Sequence, residues 1–219
     1  MKKIISFSLW GNDPKYCDGA VKNAILSKII YPDWICRFYI SDNVDKSIID
    51  KLEKENSEIF IKKDKPDWSS MFWRFEAGYD NNIDIVIFRD TDSRLNLREK
   101  NAVDEWEKSD KTFHIMRDHP HHGYPILGGM WGMKVNKKYD FENILKSFKP
   151  ENQYGTDYVF FINTLFPFIG DDKITHDEFF EKKPFPTKRE GYEFVGQVFN
   201  GNDETPIEHI NALSSYEFF

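Results

Sequence analysis

Cysteine is scarce. The 219 residues hold two, Cys17 and Cys36, with no CxxC or CxxH spacing, which excludes a disulfide-stapled scaffold and suits a reducing compartment. Long apolar runs are missing too. The opening "MKKIISFSLWGNDP" has two lysines before a short apolar stretch but passes at once into Gly-Asn-Asp, without the features of a signal peptide. No segment offers the roughly 20 apolar residues that a membrane-spanning helix needs. Positive charge is in deficit, with 30 Lys and Arg against 37 Asp and Glu and a formal net charge of -7. That balance argues against a general nucleic-acid binder, whose footprint is a basic stripe. Any polyanion bound here must be met locally, by a metal or a few placed cations. Internal repeats, low-complexity tracts and long linkers are absent as well. The expectation is a soluble, cytoplasmic protein forming one compact unit over residues 1–219, long enough to bury a sizeable core.

Aromatic residues, by contrast, are abundant: 20 Phe, 10 Tyr and 6 Trp make up 16% of the chain. Most should be core, because each ring buries a large area. Apolar periodicity organises the first ninety residues. Residues 3–9 form a strand, followed by a Gly, Asn, Asp and Pro-bearing loop and then by Ala20, Val21, Ala24, Ile25 and Ile29 at helical spacing. Trp34, Cys36, Phe38 and Ile40 alternate on one face of a second strand, and Val44, Ile48, Ile49 and Leu52 mark a second helix. "EIFIK", 58–62, is a third strand. "SSMFWRFEAG", 69–78, is helical, with Ser69 as its expected cap. "IDIVIF", 83–88, is the most apolar strand. This alternation predicts an α/β protein with a mixed, mostly parallel sheet flanked by helices. Downstream the pattern predicts a helix at 98–108, a strand at 113–116, and a His, Pro and Gly-rich loop entering another strand. Helices follow around 141–148 and 156–166, and a strand-like "YEFVGQVF" spans 192–199.

The apolar strand runs into "RDTDSR". In a doubly wound sheet ligands bind beyond the carboxyl ends of strands, and Asp90 and Asp92 follow such an end. If the chain stays extended, a period of two puts both carboxylates on one side, where their repulsion calls for a cation. Hard divalent ions, Mn²⁺ or Mg²⁺, suit such a site, since they take one or two carboxylates plus phosphate oxygens. Asp and Thr are equally ordinary turn residues, and Arg89 or Arg94 could pair with either carboxylate.

The succession of "IVIFRDTD", "LGGMWG", "GTDYVFF", "THDEFF" and "KKPF" resembles the GT-A-fold glycosyltransferases, and loosely the retaining glycogenin-like enzymes among them. It departs from that pattern in Asp157-Tyr158, where the family has Asp-Gln, and in Gly128-Gly129, where it has Asn-Ser-Gly. The resemblance implies a Rossmann-like GT-A domain in which residues 1–95 form a nucleotide-binding half ending in the DxD motif and 96–219 serve the donor sugar and the acceptor. It implies transfer from a nucleotide-diphosphate sugar, with UDP as the expected nucleotide, to a glycan or other hydroxyl acceptor, with retention. Asp90, Asp92 and His176 would hold the metal, and Lys183 and Arg189 would contact phosphates.

The strand end at Phe7, Ser8 and Leu9 and the acidic Asp42 stand where such a fold meets base and ribose, with Arg74 and Arg89 as further nucleotide contacts. Gly128 and Gly129 would let backbone approach the donor sugar, and Trp131 could stack on a sugar ring or belong to the core. Asp157, and alternatively Asp118, would serve the transferring sugar or act as a base. His119 and His122, in "HPHHGYP", are expected to contact substrate. Three rivals stand beside this. One is a zinc hydrolase built on the histidines, although their spacing matches no helix-borne zinc motif and Pro120 forbids a regular helix. Another is a catalytically silent carbohydrate-binding module of the same fold. The third is a nucleotidyltransferase, which usually shows a denser Gly loop after its first strand.

Overall fold

The computed structural model describes residues 1–136 and 138–216. Four parallel strands lie in the order expected of alternating strands and helices: β1 (Lys3–Leu9), β2 (Ile35–Ser41), β3 (Glu58–Lys62) and β4 (Ile85–Phe88). Helix α1 (Pro14–Ile30) joins β1 to β2, and α2 (Lys46–Lys54) joins β2 to β3. A twelve-residue 3₁₀ helix, Trp68–Tyr79, leads into β4, and α3 (Leu97–Lys108) follows it. Beyond β4 come β5 (Phe113–Arg117), β6 (Trp131–Lys134) and β7 (Lys173–Asp177), giving the order β3-β2-β1-β4-β6-β5-β7. Strand β6 is antiparallel to both its neighbours, while β5 and β7 are parallel. The sheet is therefore mixed and mostly parallel, as the alternation predicted.

Each face carries its own core, because side chains alternate along a strand. Ile5, Phe7, Leu9, Phe38 and Ile40 meet Ala20, Ala24 and Leu52 of the helices on one face, together with Trp106 of α3. Ile4, Val86, Phe88 and Trp131 meet Phe72 and Phe75 of the 3₁₀ helix on the other. That second face is closed by α4 (Phe141–Ser147) and by a helix running from α5 (Thr156–Phe160) through a π turn (Phe161–Leu165) into α6 (Phe166–Ile169).

Three local expectations change. The 3₁₀ helix is capped by Asp67, whose carboxylate accepts from the Ser69 N–H at 2.7 Å while Ser70 reciprocates, so Ser69 is not the cap. Residues 192–199 form no strand and make only an isolated bridge, Ser93 with Val198. Gly191 and Gly196 there take positive φ values of 54° and 78°, which turn the backbone away from a ladder. Strand β7 and a final helix, α7 (Ile207–Ser214), were not anticipated. Among the described residues no helix is long and apolar enough to cross a membrane.

Candidate functional site

A cleft of about 680 Å³ opens at the carboxyl ends of β1 and β4. These strands flank the point where the winding of the sheet reverses, since β2 lies on one side of β1 and β4 on the other. Asp90 and Asp92 both line it. The strand's alternation carries on past its end: Arg89 turns to the α3 side of the sheet, as Ile87 does, and Asp90 to the 3₁₀-helix side, as Phe88 does. The turn is held from behind by α1. Asn23 Nδ2 donates to the Ser93 carbonyl at 2.8 Å and its Oδ1 accepts from the Leu95 N–H at 3.1 Å. At Gly19 an added Cβ would lie 2.0 Å from the Thr91 carbonyl oxygen, so only glycine lets the helix approach this closely. Lys15, Gly19 and Asn23 stand four residues apart on one stripe of α1, the face that the helix turns to the aspartates.

Each aspartate has its own cation. Asp90 Oδ1 pairs with Arg74 Nη1, which also donates to the Arg89 carbonyl at 3.0 Å. Asp92 Oδ2 meets Lys15 Nζ at 2.8 Å. The third carboxylate is Asp157, buried at the first turn of α5 and lining the same cleft. Burial raises the pKa of Asp92, and the Asp90 charge adds to it, with Lys15 opposing. Burial likewise raises that of Asp157; Arg74 works against the shift and Asp90 with it. Burial works against the Lys15 ammonium, yet Asp92 more than offsets this and its pKa ends raised. Arg74 is further fixed by its backbone N–H donating to Ser8 Oγ at 2.9 Å. The glycine pair is packed into this group: a Cβ on Gly128 would stand 2.5 Å from Arg74 Nη2 and 2.6 Å from Asp157 Oδ2, and one on Gly129 2.1 Å from Asp90 Oδ2.

The donor chemistry fits a hard divalent ion. Both carboxylates line the cleft, and the charge of Asp90 makes Asp92 harder to ionise, so added positive charge would stabilise both. Among the described residues no group of three or more His, Cys, Asp or Glu side chains is placed to hold a metal. Asp90 and Asp92 would therefore supply two protein ligands and leave the remaining positions to phosphate oxygens or water, as Mg²⁺ and Mn²⁺ commonly allow.

Ser8, Leu9, Arg74, Asp90, Asp92, His119, His122, Gly128 and Asp157 all line the cleft; Gly129 sits directly behind Asp90. Other residues named from the sequence lie elsewhere. His176 is buried on β7, its Nδ1 2.8 Å from His114 Nε2 and its Nε2 facing Glu105 at 3.7 Å, so both ring nitrogens are engaged away from the aspartates. Asp118 is fully buried; it accepts from Arg98 Nε at 2.9 Å, Arg98 Nη2 at 3.0 Å, Arg189 Nη2 at 2.9 Å and the Val195 N–H at 2.9 Å, leaving no free face for a base. Arg189 is thereby committed to the anchor rather than to a phosphate. Lys183 pairs with Glu181 at 2.7 Å outside the cleft. Arg89 is buried against Glu99 at 2.8 Å, on the far side of the sheet. Phe7 stacks on Phe38, 4.7 Å between centroids, and Trp131 is core between Phe75 and Phe88. Asp42 is exposed and lies outside the cleft; its neighbour Asn43 instead accepts from the Gly11 N–H at 3.0 Å and ties the β1 loop to the β2 loop.

The histidines form one wall with Phe194. His119 Nδ1 accepts from the His121 N–H at 3.0 Å and its Nε2 donates to the His209 carbonyl at 2.9 Å, and His122 Nδ1 accepts from the Asp118 N–H at 3.0 Å. Burial holds the His119 imidazole down at about 4 and that of His122 well below its ordinary value. These bonds occupy three of the four nitrogens of His119 and His122, which removes the geometric case for a zinc site here. His209, on α7, and Lys15 are cleft residues that the sequence reading missed.

No protein-family model matches the chain, and no curated protein sequence is similar to it. Solved structures are similar in fold. One is a glycosyltransferase involved in the glycosylation of the major capsid of PBCV-1, with a TM-score of 0.51, 14% identity, and coverage of 81% of this chain and 82% of that one. Another is glucosyl-3-phosphoglycerate synthase from Mycobacterium tuberculosis, at 0.51 and 14%, over 98% of this chain and 77% of that one. The same enzyme in complex with Mn²⁺, UDP-glucose and phosphoglyceric acid gives 0.50 and 15%, over 80% and 69%. At these identities the likeness establishes the fold, which is of the Rossmann-like GT-A type.

Proposed function

We propose that the protein is a glycosyltransferase that moves a sugar from a nucleotide-diphosphate sugar, with UDP as the nucleotide, to a hydroxyl acceptor. The observation that carries this is the pair Asp90 and Asp92 at the carboxyl end of β4, inside the cleft, with Arg74, Lys15 and Asp157 around them. The nucleotide would lie against Ser8, Leu9 and the start of α1. Asp90 and Asp92 would hold Mn²⁺ or Mg²⁺, which supplies charge neutralisation for the diphosphate leaving group. Lys15, already paired with Asp92, would also contact a phosphate of the bound donor. Gly128 lets the backbone come against the donor sugar, and Asp157 and Arg74 would orient its hydroxyls. In the transfer, the bond from the anomeric carbon to the diphosphate oxygen breaks with its electron pair going to the diphosphate. The acceptor oxygen bonds to that carbon, and its proton passes to the departing diphosphate. No base at Asp118 is needed, and retention of configuration accompanies this course.

The test is calorimetric titration of UDP and then GDP into the metal-free protein, with and without Mn²⁺. Metal-dependent binding of UDP is expected, and Asp92→Asn should abolish it while urea unfolding stays cooperative. Binding that ignores the metal, or survives Asp92→Asn unchanged, would overturn the reading. The silent-module alternative predicts no nucleotide binding under any condition.

A further inference from the structure

One side of the cleft is lined by aromatic rings to which the proposed donor site assigns no role. Trp68 and Tyr154 meet edge to face, 5.3 Å between centroids, and remain 41% and 72% exposed. Tyr158 lies behind them on α5, stacked on Tyr124 at 4.3 Å and 18°, with Tyr124 42% exposed. Of the exposed aromatic residues among those described, Trp68 and Tyr154 line the cleft, and Tyr124 reaches them through Tyr158.

The rings are held in place. The Asp67 cap fixes Trp68 as the first residue of the 3₁₀ helix, and the Trp68 N–H donates to Asn152 Oδ1 at 3.2 Å, which joins it to the loop carrying Tyr154. That loop is closed by the Glu151 N–H donating to Thr156 Oγ1 at 2.9 Å. Gly155 then turns the chain with φ of 81°, and the Tyr158 ring packs across it at 3.1 Å from where a Cβ would stand. A platform already ordered loses little conformational entropy on binding.

Its neighbours decide what it takes. Trp68, Tyr154 and Tyr158 line the same cleft as Asp157 and Arg74, so flat apolar faces share it with a carboxylate and a guanidinium. A purely apolar partner would strip water from these charges without replacing it. A sugar ring offers a C–H face to the aromatic and hydroxyls at its edge to the charged groups. A nucleobase would also stack, but the platform belongs to the segments flanking Asp157, not to the β1–α1 loop, where Asn12, Lys15 and Tyr16 line the cleft.

We propose that Trp68 and Tyr154 are the stacking subsite for a carbohydrate acceptor, so that the receiving hydroxyl belongs to a glycan. This rests on the transfer reading above, yet it is tested apart from it. Lactose, maltose and cellobiose, each up to 10 mM on the scale set by weak stacking sites of roughly millimolar affinity, are titrated with saturation-transfer NMR as the readout. UDP with Mn²⁺ is titrated separately by calorimetry. At least one disaccharide should bind the wild type; Trp68→Ala and Tyr154→Ala should each weaken it tenfold or more, and Trp68→Phe less than threefold, with UDP affinity unchanged within twofold. Sugar binding without any UDP binding would sink the donor reading and leave this subsite standing. No binding of any disaccharide, or unchanged affinity in both alanine variants, would overturn the subsite. A tenfold loss of UDP affinity in Trp68→Ala would overturn it too, and make the platform a nucleobase site.

Discussion

Acid should destabilise this protein well before its carboxylates titrate, and the histidines carry the reason. His114 is fully buried between Trp106, its ring stacked at 5.2 Å and 15°, and His176, hydrogen-bonded at 2.8 Å. Burial drives its pKa well down, and the charges of His176 and Arg89 add to the shift. Burial likewise lowers His119 to about 4. A histidine with a depressed folded pKa stays neutral in the native state while the unfolded chain takes up its proton near pH 6.5. The unfolded state therefore binds more protons below pH 6.5, and stability present above that value is lost as pH falls. Each such group contributes a slope that starts at about 0.7 kcal/mol per pH unit at pH 6.5 and approaches about 1.4 near pH 5. His114 and His119 together approach about 2.8 kcal/mol per unit near pH 5, a large share of the 5–15 kcal/mol that holds a typical domain folded.

Asp92 and Asp157, with raised pKa values, act in the opposite sense, so the decisive comparison is between variants that leave both carboxylates intact. Urea unfolding is measured from pH 8 to pH 5 for the wild type, His114→Gln and His119→Gln. Each variant should lose a slope that grows below pH 6.5 and approaches about 1.4 kcal/mol per unit near pH 5, whatever its stability at pH 8. Equal slopes in the wild type and His114→Gln would refute the argument, since His114 would then hold its proton as readily folded as unfolded.

Three substitutions separate chemistry from support. Gly128→Ala puts a methyl 2.5 Å from Arg74 Nη2 and 2.6 Å from Asp157 Oδ2; it should cost at least tenfold in donor turnover while the melting temperature moves little, because side chains facing the cleft can shift. Gly129→Ala brings a methyl 2.8 Å from the Asp90 backbone nitrogen as well as against its carboxylate; backbone cannot step aside, so both metal-dependent UDP binding and stability should fall, the first by calorimetry and the second by urea unfolding. Asp118→Asn leaves Arg98 and Arg189 without their carboxylate in a buried site. Loss of one partner of a buried ion pair costs about 3–5 kcal/mol, so unfolding midpoints should drop sharply; a variant that kept its stability and lost only turnover would restore Asp118 as a base.

The strand and helix alternation was legible because apolar residues repeat at two and at 3.6, and the two aspartates were legible because they interrupt the most apolar strand at its end. What failed was parity. Phe7 and Arg89 were placed at the right strand ends, but alternation sends Phe7 to the α1 face and Arg89 to Glu99, while Ser8 and Asp90 take the cleft. Strand β7, "KITHD", has too few apolar residues to announce itself. Its burial comes from pairing with β5, a contact between residues about sixty positions apart. That pairing also sets His176 against His114, away from Asp90 and Asp92.

The same logic explains why Lys15 escaped notice and why it matters. In sequence it is one lysine after a proline, indistinguishable from a solvated charge. In the structure α1 is pulled against the aspartate turn by Gly19 and Asn23, and the first turn of that helix then lies beside Asp92. A carboxylate whose pKa is raised by burial and by Asp90 needs a nearby positive charge to remain ionised, and before any donor arrives Lys15 provides it. Lys15→Met should therefore leave Asp92 easier to protonate, so that the midpoint of metal-dependent UDP binding against pH moves upward. It should also weaken UDP at pH 8, where the carboxylate is ionised in any case, because a phosphate contact is lost. A shift in the midpoint without weaker binding at pH 8 would confine Lys15 to holding Asp92 ionised; weaker binding with no shift would confine it to the phosphate.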